Sequence, residues 1–387
     1  MLWCWMDMQD LGSSWVHPLL VMMAASKRGM RMDTGREHSE QQMKQSRWGF
    51  RGKTVWNWME LLIVPLALAV IGLAFSVQQD ARQQRVENQR AEAERELAEQ
   101  QAQDEALQAY LDQMNNLLLE HNLRDSEPGS EVPTLARART LTVLSTLDPS
   151  RKTAVINFLA EADLITLGPE ASMDAVPILE LTGADLSGTD LSNTLYLVHT
   201  NLLEADLREA NLSGTNMRKA NLTKANLTNA TLRDTQLGNA GLLFTDLRDA
   251  NLRDANIGHA NLSAANLSNA DLRNTGLRYT GFVDTNLSNA DLRGANLTGA
   301  SLSIADLHNA GLGDTHRHDA NLSNADLRGA DLTDAHVSEQ QLRSAASLEG
   351  ATMPDGQTLR GGETPNGPTF EEWLKDKKAQ GKDEKNE

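Results

Sequence analysis

The chain has 387 residues, a formal net charge of −17 and only 4% aromatic residues. This length allows two or three domains, and the acidic balance argues against a general nucleic-acid binder, which needs a basic footprint. The single cysteine, Cys4, excludes a disulfide framework and a cysteine-based zinc site.

Residues 1–55 differ in composition from the rest of the chain. Residues 1–42 are rich in methionine and show no periodic pattern, and Met43 opens a basic run. Two interpretations stay open: a disordered N-terminal extension, or an upstream stretch that is not made because translation starts near Met43.

Residues 56–77 are predicted to form a single transmembrane helix. The sequence between Leu61 and Val77 is almost purely apolar, and Trp56 and Trp58 precede it. This length is at the short end of a membrane span, and tryptophan suits the interfacial belt. A cleaved signal peptide and a buried soluble helix are the alternatives. Four basic residues precede the span and three follow it, so its orientation stays open.

A helical stalk is predicted over residues 78–123. This segment is rich in Gln, Glu, Arg and Ala and contains no Gly or Pro, a composition that favours helix. Leu107, Leu111, Met114 and Leu118 follow a 4-3-4 spacing, which is a short heptad seam. The stalk therefore either pairs with a second copy as a homodimer or packs as one helix on the next module.

Residues 124–177 are predicted to form a small helical module. A turn-rich break comes first, and two helices are expected over about 135–147 and 148–162. Asp148 is the predicted N-cap of the second helix, with Pro149 in its first turn. Two helices joined by a turn also suggest a DNA-binding motif, but nothing basic supports that interpretation.

Residues 178–358 carry a five-residue repeat. From Leu202 to Leu332 every fifth residue is a central position; 26 of these 27 are Leu, Ile, Met or Phe, and all 27 have Ala or Thr two residues earlier. A period of five fits neither a helix nor a strand and indicates stacked units that share one core. If the chain turns every five residues, four units close a coil, so residue n lies over residue n+20. The first strand is expected over residues 178–183.

The repeated motif Ala-(Asp/Asn)-Leu-X-X, which begins at Ala184 and still recurs at Ala330, resembles the pentapeptide-repeat family. The resemblance implies a mainly β fold, a right-handed quadrilateral β-helix. The order of membrane span, helical stalk, small helical module and repeat is similar to that of membrane-associated members, including the ARARTL stretch that begins at Ala136.

Two irregularities and two covered ends are predicted for this solenoid. The step from Thr194 to Thr200 is six residues, which predicts a bulge or projecting loop, and Arg317 replaces an apolar centre, which predicts a local irregularity. Open ends of a solenoid need covers. The helical module is expected at the first end. A short helix opened by Ser338 and Gln341, and a helix in the tail 359–387 opened by Thr369 and Glu372, are expected at the other.

No nucleophile elbow, phosphate loop or pair of catalytic carboxylates is recognisable, so we predict no enzyme, no catalytic or cofactor-binding residues, no cofactor and no metal. His316 and His336 are twenty residues apart, with His318 close by. They are predicted to stack on neighbouring coils in solvent, and a metal site is the alternative.

One candidate docking site follows from the twenty-residue register. Arg233, Arg253, Arg273 and Arg293 should form a vertical ladder on one face. Four aspartates stand beside it: Asp234, Asp254, Asp271 and Asp291. The ladder is either a self-neutralising surface network or a docking site for an anionic partner.

The leading hypothesis is a non-enzymatic, membrane-anchored scaffold whose solenoid surface binds a protein partner, because repeat solenoids present long regular surfaces. The resemblance implies an alternative, an acidic mimic of duplex DNA that acts on DNA gyrase or another nucleic-acid enzyme. Residues 181–356 contain 21 acidic residues against 13 Lys and Arg, which fits mimicry only loosely. The predicted anchor and the arginine ladder disfavour it. Direct binding of nucleic acid is not expected.

Overall fold

The computed structural model of the protein describes residues 55–167, 176–193, 197–316, 319–361 and 364–383, and of residues 55–61, 64 and 380–383 it describes the backbone alone. The described chain divides into two compact units, one ending at Gln84 and one beginning at Arg85, and the repeat lies in the second. The questions raised above about residues 1–54, about Arg317 and about His318 lie outside the described residues.

Helix α1 extends over Val55–Leu119 and includes Pro65. Within the part of the chain that the structure describes, no helix has an apolar stretch long enough to cross a membrane. The predicted transmembrane segment, residues 56–77, falls on the start of α1, where several side chains are outside the described part.

The small helical module consists of a 3-10 turn, Leu123–Asp125, and helices α2, Glu131–Leu144, and α3, Pro149–Glu161. Helix α3 begins as predicted. The Asp148 side chain accepts a hydrogen bond from the Arg151 N–H, and Pro149 takes the first helical position, where its missing N–H leaves no hydrogen bond unmade.

The apolar seam of the stalk packs within the chain. Met114 is fully buried, and Leu107, Leu111 and Leu118 pack against the same core as the helical module. Tyr110 on this side of α1 is hydrogen-bonded to Thr140 of α2 at 2.9 Å. Within the chain the seam packs as in the second of the two interpretations above, and a homodimer through the stalk stays a prediction.

A turn closes each five-residue unit of the solenoid. In the unit centred on Leu202, the Ala205 N–H donates to the Leu202 carbonyl at 3.1 Å, and Glu204 between them has a φ of 57°. This hydrogen bond, with a positive φ at the third residue, is the pattern of a type II turn. The same features recur at most fifth residues of the repeat.

Single parallel bridges join each coil to the next. From Asn201 and Asn221 to His316 and His336 they pair residues twenty apart, so the predicted register is confirmed and four units close each coil. The described residues contain isolated bridges and no longer strand. A turn every five residues leaves only one extended residue per unit for pairing, so the predicted β-helical solenoid is joined by single bridges and not by longer strands.

The strand expected over residues 178–183 is wrong for the same reason. Leu181 already begins a turn, because its carbonyl accepts the Ala184 N–H at 3.0 Å and Gly183 has a φ of 72°. The Leu181 N–H donates to Asn201 in the next coil at 2.9 Å. The first coil is thus built like the later ones.

The core of the solenoid is a dry column of central side chains. Leu262 and Phe282 are fully buried, as are nearly all other described centres. The Ala or Thr two residues before each centre is buried as well. This confirms the division into inward and outward positions, which burial of the leucines stabilises by roughly 1.5–3 kcal/mol per side chain.

The Asp or Asn before each centre has a structural role that the sequence pattern alone does not reveal. Four of the five backbone N–H groups in the unit 225–229 donate to backbone carbonyls. The fifth, that of Thr228, donates to the Asn226 side-chain oxygen at 3.1 Å. This bond is an Asx turn, and it recurs wherever the position holds a suitable Asp or Asn, as between Ser268 and Asn266.

The register shows the effect of the six-residue step, and the helical module lies at the first end of the solenoid. The bridge from Asp185 to Asp206 spans 21 residues instead of twenty, so the extra residue before Thr200 is accommodated there; residues 194–196 themselves lie outside the described part. At the first end, Lys152 of α3 pairs with Asp185 at 2.8 Å. The module therefore covers this end.

Two helices cover the other end. Helix α4, Glu339–Ser344, starts at the predicted capping box of Ser338 and Gln341. Helix α5, Phe370–Asp383, is preceded by Thr369, whose N–H donates to the Glu372 carboxylate at 2.7 Å. Trp373 is 7% exposed, and its indole N–H donates to Asp355. The tail is therefore packed onto the closing segment of the solenoid.

Candidate docking walls of the solenoid

The four walls of the solenoid have different chemistry. Each wall consists of five-residue segments whose centres are twenty residues apart. We call them the apolar wall (centres 202, 222, 242, 262, 282 and 302), the Asx wall (207, 227, 247, 267, 287 and 307), the ladder wall (212, 232, 252, 272 and 292) and the basic wall (217, 237, 257, 277 and 297).

The predicted arginine ladder is present on the ladder wall, and its upper half is paired. The Arg273 guanidinium donates two hydrogen bonds to the Asp271 carboxylate, at 2.8 and 2.6 Å. The Arg293 guanidinium likewise donates two hydrogen bonds to the Asp291 carboxylate, at 2.8 and 2.5 Å. These guanidinium hydrogen bonds lower the pKa of Asp271 and of Asp291.

The lower half of the ladder is paired more weakly. Thr231 and Asn251 stand where the upper units have Asp, so Arg233 and Arg253 reach to Asp254 instead, at 4.0 and 3.4 Å. The four arginines and the four flanking aspartates balance in charge. This geometry favours the self-neutralising network, and such exposed pairs contribute roughly 0–1 kcal/mol each.

The apolar wall carries most of the large apolar side chains that the described solenoid exposes. Phe244 is 56% exposed, Val283 37% and Ile304 59%. Its six segments contain three charged residues, and two of them, Lys224 and Glu204, are paired at 3.0 Å. This wall therefore offers a weakly charged surface with exposed apolar groups.

The basic wall was missed in the sequence analysis. Its segments 215–219, 235–239, 255–259, 275–279 and 295–299 contain Arg218, Lys219 and Arg278 and no Asp or Glu. Sorting the charged residues by their place in the twenty-residue register would have revealed this difference.

The histidines His316 and His336 lie next to each other on the solenoid surface. The rings of His316 and His336 lie 5.3 Å apart on neighbouring coils, as the stacking interpretation predicts. Among the described residues no group of three or more His, Cys, Asp or Glu side chains could hold a metal ion.

Comparison with known proteins identifies the repeat. The family model described as pentapeptide repeats matches residues 200–239, 245–278, 282–315 and 319–354. No curated protein matches the chain.

Solved structures that are similar to this chain include HetL from the cyanobacterium Nostoc, a pentapeptide repeat protein involved in regulating heterocyst differentiation. It is 33% identical over 46% of this chain and 89% of its own, with a TM-score of 0.20. QnrB1, a plasmid-mediated fluoroquinolone resistance protein, is 18% identical over 46% of this chain and 84% of its own, with a TM-score of 0.28. A pentapeptide repeat protein of the Arabidopsis thaliana thylakoid lumen is 22% identical over 46% of this chain and 83% of its own, with a TM-score of 0.15.

The four-unit coils and the buried column of apolar centres lie in the same residues that the family model matches. The match of the family model to these four stretches identifies the repeat as that of the pentapeptide-repeat family.

Proposed function

We propose that the protein is a non-enzymatic scaffold that binds a protein partner on the walls of its solenoid and is anchored to a membrane by residues 56–77. The observation that carries the scaffold proposal is the clustering of exposed apolar side chains on the apolar wall. Contiguous exposed apolar groups are typical of protein–protein interaction sites.

The geometry of the apolar wall suits a flat partner surface. Phe244 and Ile304 occupy the same turn position three coils apart, a distance of about 14 Å at a spacing of ~4.8 Å per coil. Val283 lies between them on the same wall. The regular core beneath holds these side chains in fixed positions, so a partner can bind without ordering a loop.

The membrane anchor is proposed from composition. The residues between Leu61 and Val77 are almost purely apolar, close to the length that a span needs. The test is extraction of membranes with alkaline carbonate. We expect the full chain to stay in the pellet and the Leu68→Arg/Ile71→Arg variant to be released; release of the unaltered chain would contradict the anchor.

The alternative, a mimic of duplex DNA, is supported by the excess of acidic residues in the repeat. The ladder wall weighs against it, because Arg273 and Arg293 neutralise the aspartates there and interrupt a negative surface. The alternative predicts that the full chain inhibits DNA supercoiling by gyrase, and the scaffold proposal predicts no inhibition.

The test of the scaffold proposal is photo-crosslinking from the apolar wall. The full chain carries p-benzoylphenylalanine at Phe244 or, as a control, at Asn289, which is exposed at the same turn position of the Asx wall. We expect one discrete protein adduct from position 244, none from position 289, and loss of the adduct when Ile304→Asp is added. Equal adducts from both positions, or an adduct that Ile304→Asp leaves unchanged, would contradict the proposal.

A further inference from the structure

The basic wall keeps its positive charge although the whole chain carries a net charge of −17. Arg218, Lys219 and Arg278 are exposed, and none of them forms an ion pair with a described residue. Asp234 and Asp254 directly precede two segments of the basic wall in the chain, and Asp254 already pairs with Arg253 at 3.4 Å. The cations of the basic wall are therefore available to an external anion.

The two arginines enclose a shallow trough. Arg218, Gly238, Gly258 and Arg278 occupy one vertical column, each twenty residues after the last. A Cβ at Gly238 would lie 3.9 Å from the Arg218 guanidinium carbon, and a Cβ at Gly258 would lie 3.4 Å from the Arg278 carbonyl oxygen. The column thus has an arginine at each end and two residues without side chains between them, and the Arg218 guanidinium lies against the first of these, Gly238.

An aromatic pair fixes one side of the trough. The rings of His259 and Tyr279 stack with centroids 5.0 Å apart, and the Arg278 guanidinium carbon lies 5.7 Å from the Tyr279 centroid. An added Cβ at Gly299 would lie 2.5 Å from two carbons of the Tyr279 ring, so that ring edge is covered. A ring enclosed on two sides is a poor stacking platform for a nucleobase, and the arrangement favours a partner that presents carboxylates.

The distance between the cations sets the spacing of those carboxylates. Three coil steps of about 4.8 Å separate Arg218 from Arg278, or roughly 14 Å. An extended peptide advances about 3.4 Å per residue, so four residues cover the same distance. The side chains at i and i+4 of an extended chain also point to the same face.

From this geometry we propose that the basic wall binds an acidic protein segment in an extended conformation, with carboxylates four residues apart at Arg218 and Arg278 and the intervening backbone over Gly258. This proposal rests on the scaffold function and names the chemistry of a second partner surface, distinct from the apolar wall.

The experiment measures binding of two synthetic peptides to the full chain by fluorescence anisotropy with a zwitterionic dye. The spaced peptide is Glu-Gly-Ser-Gly-Glu-Gly-Ser-Gly-Glu, and the clustered control, Gly-Ser-Gly-Glu-Glu-Glu-Gly-Ser-Gly, has the same composition and charge. The variant Arg218→Gln/Arg278→Gln removes the two cations of the basic wall. The matched variant Arg233→Gln/Arg253→Gln removes two cations of the ladder wall.

We expect the spaced peptide to bind roughly tenfold more tightly than the clustered peptide, and its affinity to fall with salt. Arg218→Gln/Arg278→Gln should weaken it by roughly tenfold, and the ladder variant should leave it unchanged. Equal affinity for both peptides, equal loss in both variants, no binding at low salt, or tighter binding of a nine-nucleotide oligothymidylate would overturn the proposal. If the Phe244 adduct forms in such a case, the scaffold function stands and only this assignment fails.

Discussion

Two buried threonines provide a test of how the core satisfies its polar groups. Thr200 and Thr235 are both fully buried and both stand two residues before a centre. The Thr235 hydroxyl donates to the Leu212 carbonyl at 2.9 Å, one coil below. Among the residues that the structure describes, the Thr200 hydroxyl has no hydrogen-bond partner. Thr215 and Thr245 likewise use a carbonyl of the coil below, and Thr189 in the first coil uses the Leu186 carbonyl of its own turn. The Thr200 hydroxyl makes neither kind of bond within the described part of the chain.

The substitution Thr→Val replaces the hydroxyl by a methyl of similar size and should therefore have opposite effects at the two sites. Thr235→Val loses one buried hydrogen bond, worth about 0.5–1.5 kcal/mol net. The Leu212 carbonyl still accepts the Thr215 N–H at 3.1 Å, so no further group is orphaned. Thr200→Val removes an unsatisfied buried hydroxyl and should raise the free energy of unfolding by about 1–3 kcal/mol.

The assay is urea denaturation of the full chain followed by circular dichroism. We expect the midpoint to rise for Thr200→Val and to fall for Thr235→Val, with the slope unchanged in both, because a changed slope would mean a changed unfolding unit. The reasoning is refuted if Thr200→Val lowers the midpoint as much as Thr235→Val does, since the Thr200 hydroxyl would then have a partner in the folded state.

Three further predictions concern single side chains. Ile304 is 59% exposed and has a φ of 61°, which costs a β-branched residue about 1–3 kcal/mol; Ile304→Asn should therefore raise the denaturation midpoint, and an unchanged or lower midpoint would contradict this. Burial raises the pKa of Asp185, but the hydrogen bonds from Lys152 and Ser187 together outweigh it and leave that pKa lowered. The contribution of the Lys152–Asp185 pair is therefore present at neutral pH and lost as the pH falls through the folded pKa. Lys152→Met should flatten the acid limb of the stability–pH curve. Burial raises the pKa of Tyr110 to about 12 against the opposing hydrogen bond to Thr140, so stability should fall as the pH rises above the unfolded value of about 10, and Tyr110→Phe should remove this alkaline loss.

The coil architecture was predictable because a single periodic rule fixes it. An apolar centre recurs at every fifth residue, with Ala or Thr two positions earlier. A coil that turns every five residues satisfies this pattern, because both side chains then point inward. The register that placed Arg253 over Arg233 follows from the same rule. The capping boxes at Ser338 and Thr369 were also predictable, because they depend on side chains only three residues apart.

The features that sequence reasoning missed depend on what surrounds each residue. The strand predicted over residues 178–183 was wrong because a turn begins at Leu181, and this turn prevents pairing over more than one residue. The role of Asn226 as acceptor for the Thr228 N–H can be recognised only when every backbone N–H of the unit is assigned its acceptor. The heptad spacing places Met114 on an apolar face of the helix. It does not determine whether that face packs against a second copy of the chain or against α2.

The sequence predicted where the arginine ladder lies, but it did not predict how its arginines are paired or that a basic wall exists. The twenty-residue spacing located the arginine ladder, whereas the weaker pairing of Arg233 and Arg253 comes from Thr231 and Asn251 replacing aspartate. The basic wall escaped notice because Arg218 and Arg278 are sixty positions apart in the chain. They share a wall only once the coil closes.

All assignments of walls depend on residues twenty apart being vertical neighbours, and cysteine cross-linking tests this most directly. In a Cys4→Ser background, Ser268→Cys/Ser288→Cys places thiols on adjacent coils of the Asx wall, whose spacing of about 4.8 Å is within disulfide reach. Ser288→Cys/Thr298→Cys places them on opposite walls. After mild oxidation, labelling with a polyethylene-glycol maleimide should find no free thiol in the first pair and two in the second. Two free thiols in the first pair, or a disulfide in the second, would contradict the coil on which the docking walls are built.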